Sequence, residues 1–331
     1  MAKEHKYFIG LDLGASSLKY ALVREDGFIH TGKQRPALAL NPQKEILDNL
    51  ADAVSELAEV AAGDGITPLG VGVGSPGAIN AVNGRVIGIA PNIPDWLGAD
   101  IKGHLEAAIN LTTMADNDAN LMALAEARLG AGKDFPHLES VVALTLGTGI
   151  GGGIIIDGKL LHGYSQSASE IGHMILYPDG LLCDCGSRGC FEKYVAGPAM
   201  VRRVLEMTGN ILPPELEALT GGDPEKLEPK LIFQAIKNGC RVCREVIDGV
   251  THDLGIGIAS VVSIINPGMI VIGGGIADAG DGFVQEIEKV VKNNALKAVT
   301  RELILRRATL GNDAGVVGAM LIICEHLDGS T

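Results

Sequence analysis

Half of the six cysteines fall within eight positions, in the stretch CDCGSRGCFEKY over residues 183–194. Cys183, Cys185 and Cys190 offer three thiolates, and His173 lies ten residues upstream in EIGHM. Three thiolates and one imidazole make a closed tetrahedral set for Zn²⁺, the form a structural zinc takes when no position is left open for water. Gly186 and Gly189 let the loop turn tightly enough for the ligands to converge. The other pair, Cys240-x-x-Cys243, has no neighbouring His and reads as core packing on a helix. Cys324 reads as a lone buried thiol.

A second kind of chemistry is written in glycine. Three glycine turns follow apolar runs: DLGASSLK (12–19), TLGTGIGGG (145–153) and IGGGIA (272–277). Such turns present backbone N–H groups to an anion with no Cβ in the way. The first turn adds Asp12 at a strand end beside Gly14, Ser16, Ser17 and Lys19. A carboxylate there suits Mg²⁺, held through water, while the hydroxyls and Lys19 neutralise phosphate oxygens. Gly147, Thr148 and Gly149 form the second turn, and Gly273, Gly274 and Gly275 the third. Residues 72–77 and 147–152 each satisfy G-x-G-x-x-G, but neither has the strand–turn–helix context of a dinucleotide site. No G-x-x-x-x-G-K-[ST] run occurs.

The elements that must position these groups follow from periodicity. Alternating apolar runs predict strands at 7–13, 18–24 and 28–34, and helical spacing of Ile46, Leu47, Leu50, Val54 and Leu57 predicts a helix over 43–62. A strand precedes GSPG (74–77), another covers 111–115, and a helix spans 118–129, capped near Asn117 or Asp118. From 141 the opening pattern recurs: VVALTLGTGIGGGIIIDG matches FIGLDLGASSLKYALVREDG as strand, glycine turn, strand and Asp-Gly. This repeat predicts two related lobes. Residues 209–230 read as a surface excursion around a short helix. A long helix is expected over 240–264, strands at 269–272 and 302–306 around a helix at 281–295, and a helical tail over 313–326.

The bulk composition agrees. A chain of 331 residues exceeds what one core usually supports. A net charge of −13 argues against a nucleic-acid footprint, which needs clustered Lys and Arg. Residues 255–277 carry no charge over a bilayer-spanning length, yet Asn266-Pro267-Gly268 breaks them, so they read as a buried helix, a turn and a buried strand rather than a membrane span. The start of the chain shows no apolar export signal, which points to the cytoplasm, where clustered cysteines more often bind metal than pair.

The three turns, in this order, resemble the two phosphate motifs and the adenosine motif of the sugar kinase–actin superfamily. Gly172-His173 followed by the Cys183–Glu192 run resembles the signature of its ROK branch (repressors, open reading frames, kinases). The resemblance extends from residue 7 to about residue 324 and is strongest to the bacterial glucokinases of that branch. It implies an α/β, two-lobed, actin-like (ribonuclease H-like) ATPase fold with a nucleotide and sugar cleft between lobes and a zinc-binding loop. The expected domains are 1–116, to which the helix of 313–331 crosses back, and 117–312, holding the zinc loop 173–190.

The resemblance also implies an ATP-dependent hexose kinase with Mg²⁺ and structural Zn²⁺, and a homodimer; the charge and the broken apolar run lead us to expect no nucleic-acid or membrane partner. In ADNDANLMALAE (115–126) both Asp116 and Asp118 are candidate bases, and Asp118 matches the family's catalytic aspartate. Sugar-binding positions carried over are Asn117, Glu170, His173 and Glu192, with Gly77 and Asn92 on the wall of the pocket; His173 would serve sugar and zinc through different ring nitrogens. Ala15-Ser16, Ala168-Ser169-Glu170, Lys193 and Ala196-Gly197 depart from the family pattern, and two of these departures adjoin sugar positions. Glucose is the first expectation; mannose, fructose, N-acetylglucosamine and N-acetylmannosamine stay open, as does polyphosphate in place of ATP. A sugar-sensing regulator is the alternative of another class, disfavoured because the first phosphate motif begins at residue 12 and leaves no room for a helix-turn-helix. An ATP-binding chaperone or filament protein would not need the cysteine loop.

Overall fold

Strands form where apolar residues alternate or run between glycine turns, and helices where they recur at three and four. The computed structural model describes residues 5–329. The chain opens with β1 (Tyr7–Leu13), β2 (Ser17–Arg24) and β3 (Ile29–Pro36), then α1 (Gln43–Gly63), β4 (Val71–Ser75) and a small hairpin of β5 (Ile79–Asn80) and β6 (Arg85–Val86). Next come α2 (Ile101–Ile109), β7 (Thr113–Asn117) and α3 (Asp118–Arg128). One sheet runs β3-β2-β1-β4-β7, antiparallel across the first three strands and parallel from β1 through β4 to β7. The face of α1 that carries Ile46, Leu50, Val54 and Leu57 is buried with Leu11, Leu13 and Val73 in one core.

The repeat then follows as β8 (Val141–Leu146), β9 (Ile150–Ile156) and β10 (Lys159–Leu160). Helices α4 (Glu192–Val195), α5 (Gly197–Thr208), α6 (Pro214–Thr220), α7 (Pro229–Lys237) and α8 (Arg241–Ile265) lead to β11 (Met269–Gly273). After it come α9 (Asp281–Asn294), α10 (Lys297–Thr300), β12 (Ile304–Arg307) and α11 (Ala314–Gly329). Strands β8, β11 and β12 are parallel, with β11 in the middle. Helix α8 ends at Asn266 in the left-handed conformation, φ 50°, the stop that Asn266-Pro267-Gly268 encodes. Among the described residues α8 alone is long and apolar enough to cross a membrane. Its Cys243, Val246, Val250, Leu254, Ile258 and Val262 are buried inside the protein, as a core helix requires.

The chain divides into two compact units. Among the described residues, the first runs to Pro136 and resumes over Gly153–Ser169 and from Thr309; the second is His137–Gly152 with Glu170–Ala308. Helix α3 and the 153–169 segment thus group with the first unit, whereas the sequence reading drew its boundary after residue 116. Helix α11 lies across the first sheet. A Cβ on Gly10 would overlap Val316 O, and one on Gly72 would overlap Ala319 O. These two glycines therefore exist for close strand–helix approach, which also explains why Gly72 sits in a spurious dinucleotide pattern.

Periodicity alone predicts no helix at α2, α4, α5, α7 or α10. Helix α2 is short and needs its Asp100 cap, whose carboxylate accepts the Gly103 N–H. Helices α5 and α7 begin at Gly197-Pro198 and Pro229, prolines that suit a first helical turn. Cys240 and Cys243 are buried, as core packing predicts. Cys324 is only half-buried, because it sits on the last turns of α11, with Sγ 3.8 Å from Asp328 Oδ2.

Candidate active site

In the first unit, β1 delivers Asp12 at its end, and the register places Asp12 opposite Lys19 on β2. The turn between them closes with Gly14 N–H donating to Ser17 O at 2.9 Å; Ser16 is exposed on that turn. Burial raises the Asp12 carboxyl above its ordinary value, and Lys19 partly offsets this. A Cβ on Gly315 would overlap the Asp12 carboxylate, so the helix start leaves this group its space. A half-buried carboxylate whose charge is undercompensated is a fitting ligand for a hydrated dication.

Strand β7 ends where α3 begins, and this junction carries Asp116, Asn117 and Asp118. Asn117 is the N-cap: its Oδ1 accepts the N–H groups of Ala119 at 2.9 Å and Asn120 at 3.2 Å. Its Nδ2 donates to Gly77 O at 3.0 Å, tying the cap to the GSPG loop. With the cap supplied by Asn117, Asp118 is not needed for that role. Asp118 Oδ1 accepts the Ala119 N–H at 2.9 Å. Asp118 keeps some accessible surface, yet burial first and the Asp12 charge second push its carboxyl up to about 7. Gly77 adopts φ +84°, a conformation that favours glycine. Ser75, on the same loop, accepts the indole N–H of the fully buried Trp96 at 2.8 Å. Asn92 is exposed on a turn.

In the second unit, the turn after β8 closes with Gly147 N–H donating to Gly149 O at 3.0 Å, and Thr148 is exposed. Glu192, first residue of α4, accepts the Ile150 N–H through Oε2 at 2.9 Å. A Cβ on Gly149 would overlap that carboxylate. The glycine turn therefore holds Glu192 as well as exposing amides. The third turn leaves β11 with Gly273 buried and Gly274 and Gly275 exposed. A cavity of about 800 Å³ is lined by Gly147 and Thr148 of one turn and Gly275 and Ile276 of the other, with an apolar side from Val201 and Leu205. A neighbouring cavity of about 870 Å³ touches only the third turn, so the first is the one both glycine turns serve.

The cysteine loop closes as its composition predicts. One ligand atom each from His173, Cys183, Cys185 and Cys190 lies within 4.8 Å of the others. Cys185 Sγ and Cys190 Sγ are 3.6 Å apart, and Cys183 Sγ is 3.7 Å from His173 Nδ1. Zinc–sulfur bonds of about 2.3 Å in a tetrahedron put ligand atoms about 3.6–3.8 Å apart, so the donor set fits Zn²⁺. The Ser187 N–H lowers the Cys185 thiol to about 7, while burial raises Cys190 to about 12; a dication in the site would favour the thiolate form of its sulfur ligands. Nδ1 of His173 is the ring nitrogen that lies against Cys183 Sγ, so Nε2 is on the other side of the ring. Glu170 is exposed and starts the single turn Ile171–His173.

Two features escaped the sequence reading. Asp116, weighed as a base, is 3% exposed and already holds three partners, one of them His162 Nε2 at 2.6 Å. A lone His 46 residues away gives no local signal of that pairing. Ser169 adopts φ 70° with its Oγ buried and unpartnered. The departure from the family's Ala-Gly-Glu thus falls at a left-handed residue, where glycine is the least strained choice.

The chain can be set beside known proteins. The ROK family model matches residues 8–326. A glucokinase of Thermotoga maritima is 35% identical over 97% of this chain and 98% of its own length, and one of Streptomyces coelicolor 38% identical over 94% and 95%. The fold is similar to the crystal structure of a ROK family glucokinase from Streptomyces griseus in complex with glucose and AMPPNP, with a TM-score of 0.80, 32% identity and coverage of 96% of this chain and 98% of that one. With a family model along nearly its whole length and relatives above 30% identity, this chain belongs to the ROK family, with that family's two-lobed actin-like fold.

Proposed function

We propose that the chain is an ATP-dependent hexose kinase that transfers the γ-phosphoryl group of ATP to the 6-hydroxyl of glucose. The observation that carries this is Asp118, freed from capping by Asn117 and with its carboxyl raised to about 7. A base with that value accepts a hydroxyl proton near neutral pH as the hydroxyl oxygen attacks in line. Asn117, Glu170, His173 and Glu192 bind the sugar, with Gly77 and Asn92 on its wall. Gly14, Ser16 and Lys19 and the turns at Gly147–Gly149 and Gly273–Gly275 bind the phosphates and adenosine. Asp12 holds the hydrated Mg²⁺ of Mg-ATP, which when bound neutralises charge on the transferring group. His173, Cys183, Cys185 and Cys190 hold Zn²⁺, which shapes the sugar site and takes no part in the chemistry.

The cavity of about 800 Å³ with an apolar side favours ATP over polyphosphate as donor, since polyphosphate has no base to bury. The glucokinase relatives support glucose, and the family resemblance carries a homodimer with it. The test is ADP release from Mg-ATP with glucose, mannose, fructose, N-acetylglucosamine and N-acetylmannosamine. Glucose should give the highest kcat/KM. A higher value for an N-acetyl sugar would overturn glucose as substrate, and no turnover with any sugar would overturn the kinase reading.

A further inference from the structure

We propose that His162 is a positioning residue for Asp118, acting through the buried carboxylate of Asp116. The inference rests on the reading of Asp118 as the base. Asp116 is the next-to-last residue of β7, two residues before Asp118, and all three residues lie in the first unit. Its Oδ1 accepts the Asn117 N–H at 2.7 Å and the Asn120 Nδ2 at 2.9 Å. Those two bonds bracket Asp118, one residue before it and two after. Oδ2 has one partner, His162 Nε2, at 2.6 Å. A buried carboxylate oxygen is costly to leave unpaired. Without its donor Asp116 would rotate or draw in water, and both brackets would shift with it.

His162 is itself fixed. It follows β10, and the preceding Leu161 N–H donates to Ile154 O at 2.8 Å. Its own carbonyl accepts the Ala168 N–H at 3.0 Å, closing the loop that runs on in sequence to Glu170. One residue thus braces the strand end behind the base with its ring and fixes the approach to a sugar-binding residue with its backbone. The bond also raises the pKa of His162 above its ordinary value, against the opposing effect of burial.

The test compares His162→Gln with His162→Asn in the full-length, zinc-loaded protein. A Gln amide N–H reaches where Nε2 lies, whereas the shorter Asn does not. Displacing a catalytic group by a fraction of an ångström costs roughly tenfold or more in rate. The Gln variant should keep kcat within about threefold of the parent, and the Asn variant should lose about tenfold, with KM for glucose within about threefold in both. A merely structural role would lower Tm in both and leave kcat of the folded protein alone. Equal kcat in the two variants, or a change confined to KM, would overturn the proposal. Asp118→Asn is run alongside: if it keeps turnover, the base reading itself has failed; if it is inactive while Gln and Asn behave alike, only the role of His162 has.

Discussion

Asp118→Asn should gain stability while losing activity, and the gain should depend on pH. The folded state holds the Asp118 proton up to about 7, whereas the ordinary carboxyl value is 3.8. Below pH 3.8 both folded and unfolded chains are protonated, and the group contributes nothing. Between these values the unfolded chain sheds the proton and the folded one keeps it, so stability falls as pH rises. Above about 7 the penalty is complete. The gap corresponds to about 4 kcal/mol at most; solvent reaching the part-exposed side chain reduces the expectation to ~2 kcal/mol. Asn removes the charge and keeps an oxygen for the Ala119 N–H. Denaturant unfolding without nucleotide should therefore show the variant more stable, with the gain at pH 8 about twice that at pH 5 or more. Turnover of glucose with Mg-ATP should drop ~10²–10⁴-fold. A gain equal at both pH values, or turnover near that of the parent, would refute the reasoning.

Cys185→Ser removes one of the four candidate zinc ligands, so zinc content by metal analysis and glucose affinity should fall together; full zinc occupancy would refute the ligand set. Gly72→Ala drives a methyl group into the Ala319 carbonyl of α11, and neither backbone can yield without moving the helix. It should cost about 3 kcal/mol or more, read as a lowered denaturant midpoint or loss of soluble protein.

The fold was largely legible because its signals are local. Strands β1, β2, β8 and β11 each end in a glycine turn, and α1 and α8 have unbroken apolar stripes. Helices α2 and α7, nine residues each, are too short to carry a long stripe, and α5 and α7 are signalled instead by first-turn prolines, Pro198 and Pro229. The cysteine loop was legible from spacing alone, since its three thiols converge within one short turn. Residues that act across distance were not. Nothing near Glu126 shows that its fully buried carboxylate accepts the N–H groups of Ala131, Thr309 and Leu310. The bond from His162 to Asp116 is equally silent in the sequence, because only the fold sets how those positions meet.

The helix laid over Gly10 and Gly72 has a consequence for how the chain matures. Its contacts reach across nearly the whole polypeptide; Lys6 and Asp328, separated by 322 positions, form an ion pair at 2.6 Å. On the ribosome the strands of the first sheet emerge well before the helix that covers them. Until then the face around Gly10 and Gly72 stays bare, while most of the second unit, Glu170–Ala308, is already a continuous stretch able to condense. The first unit therefore cannot complete its sheet–helix core until Thr309 onward has been made, after the segments of the second unit.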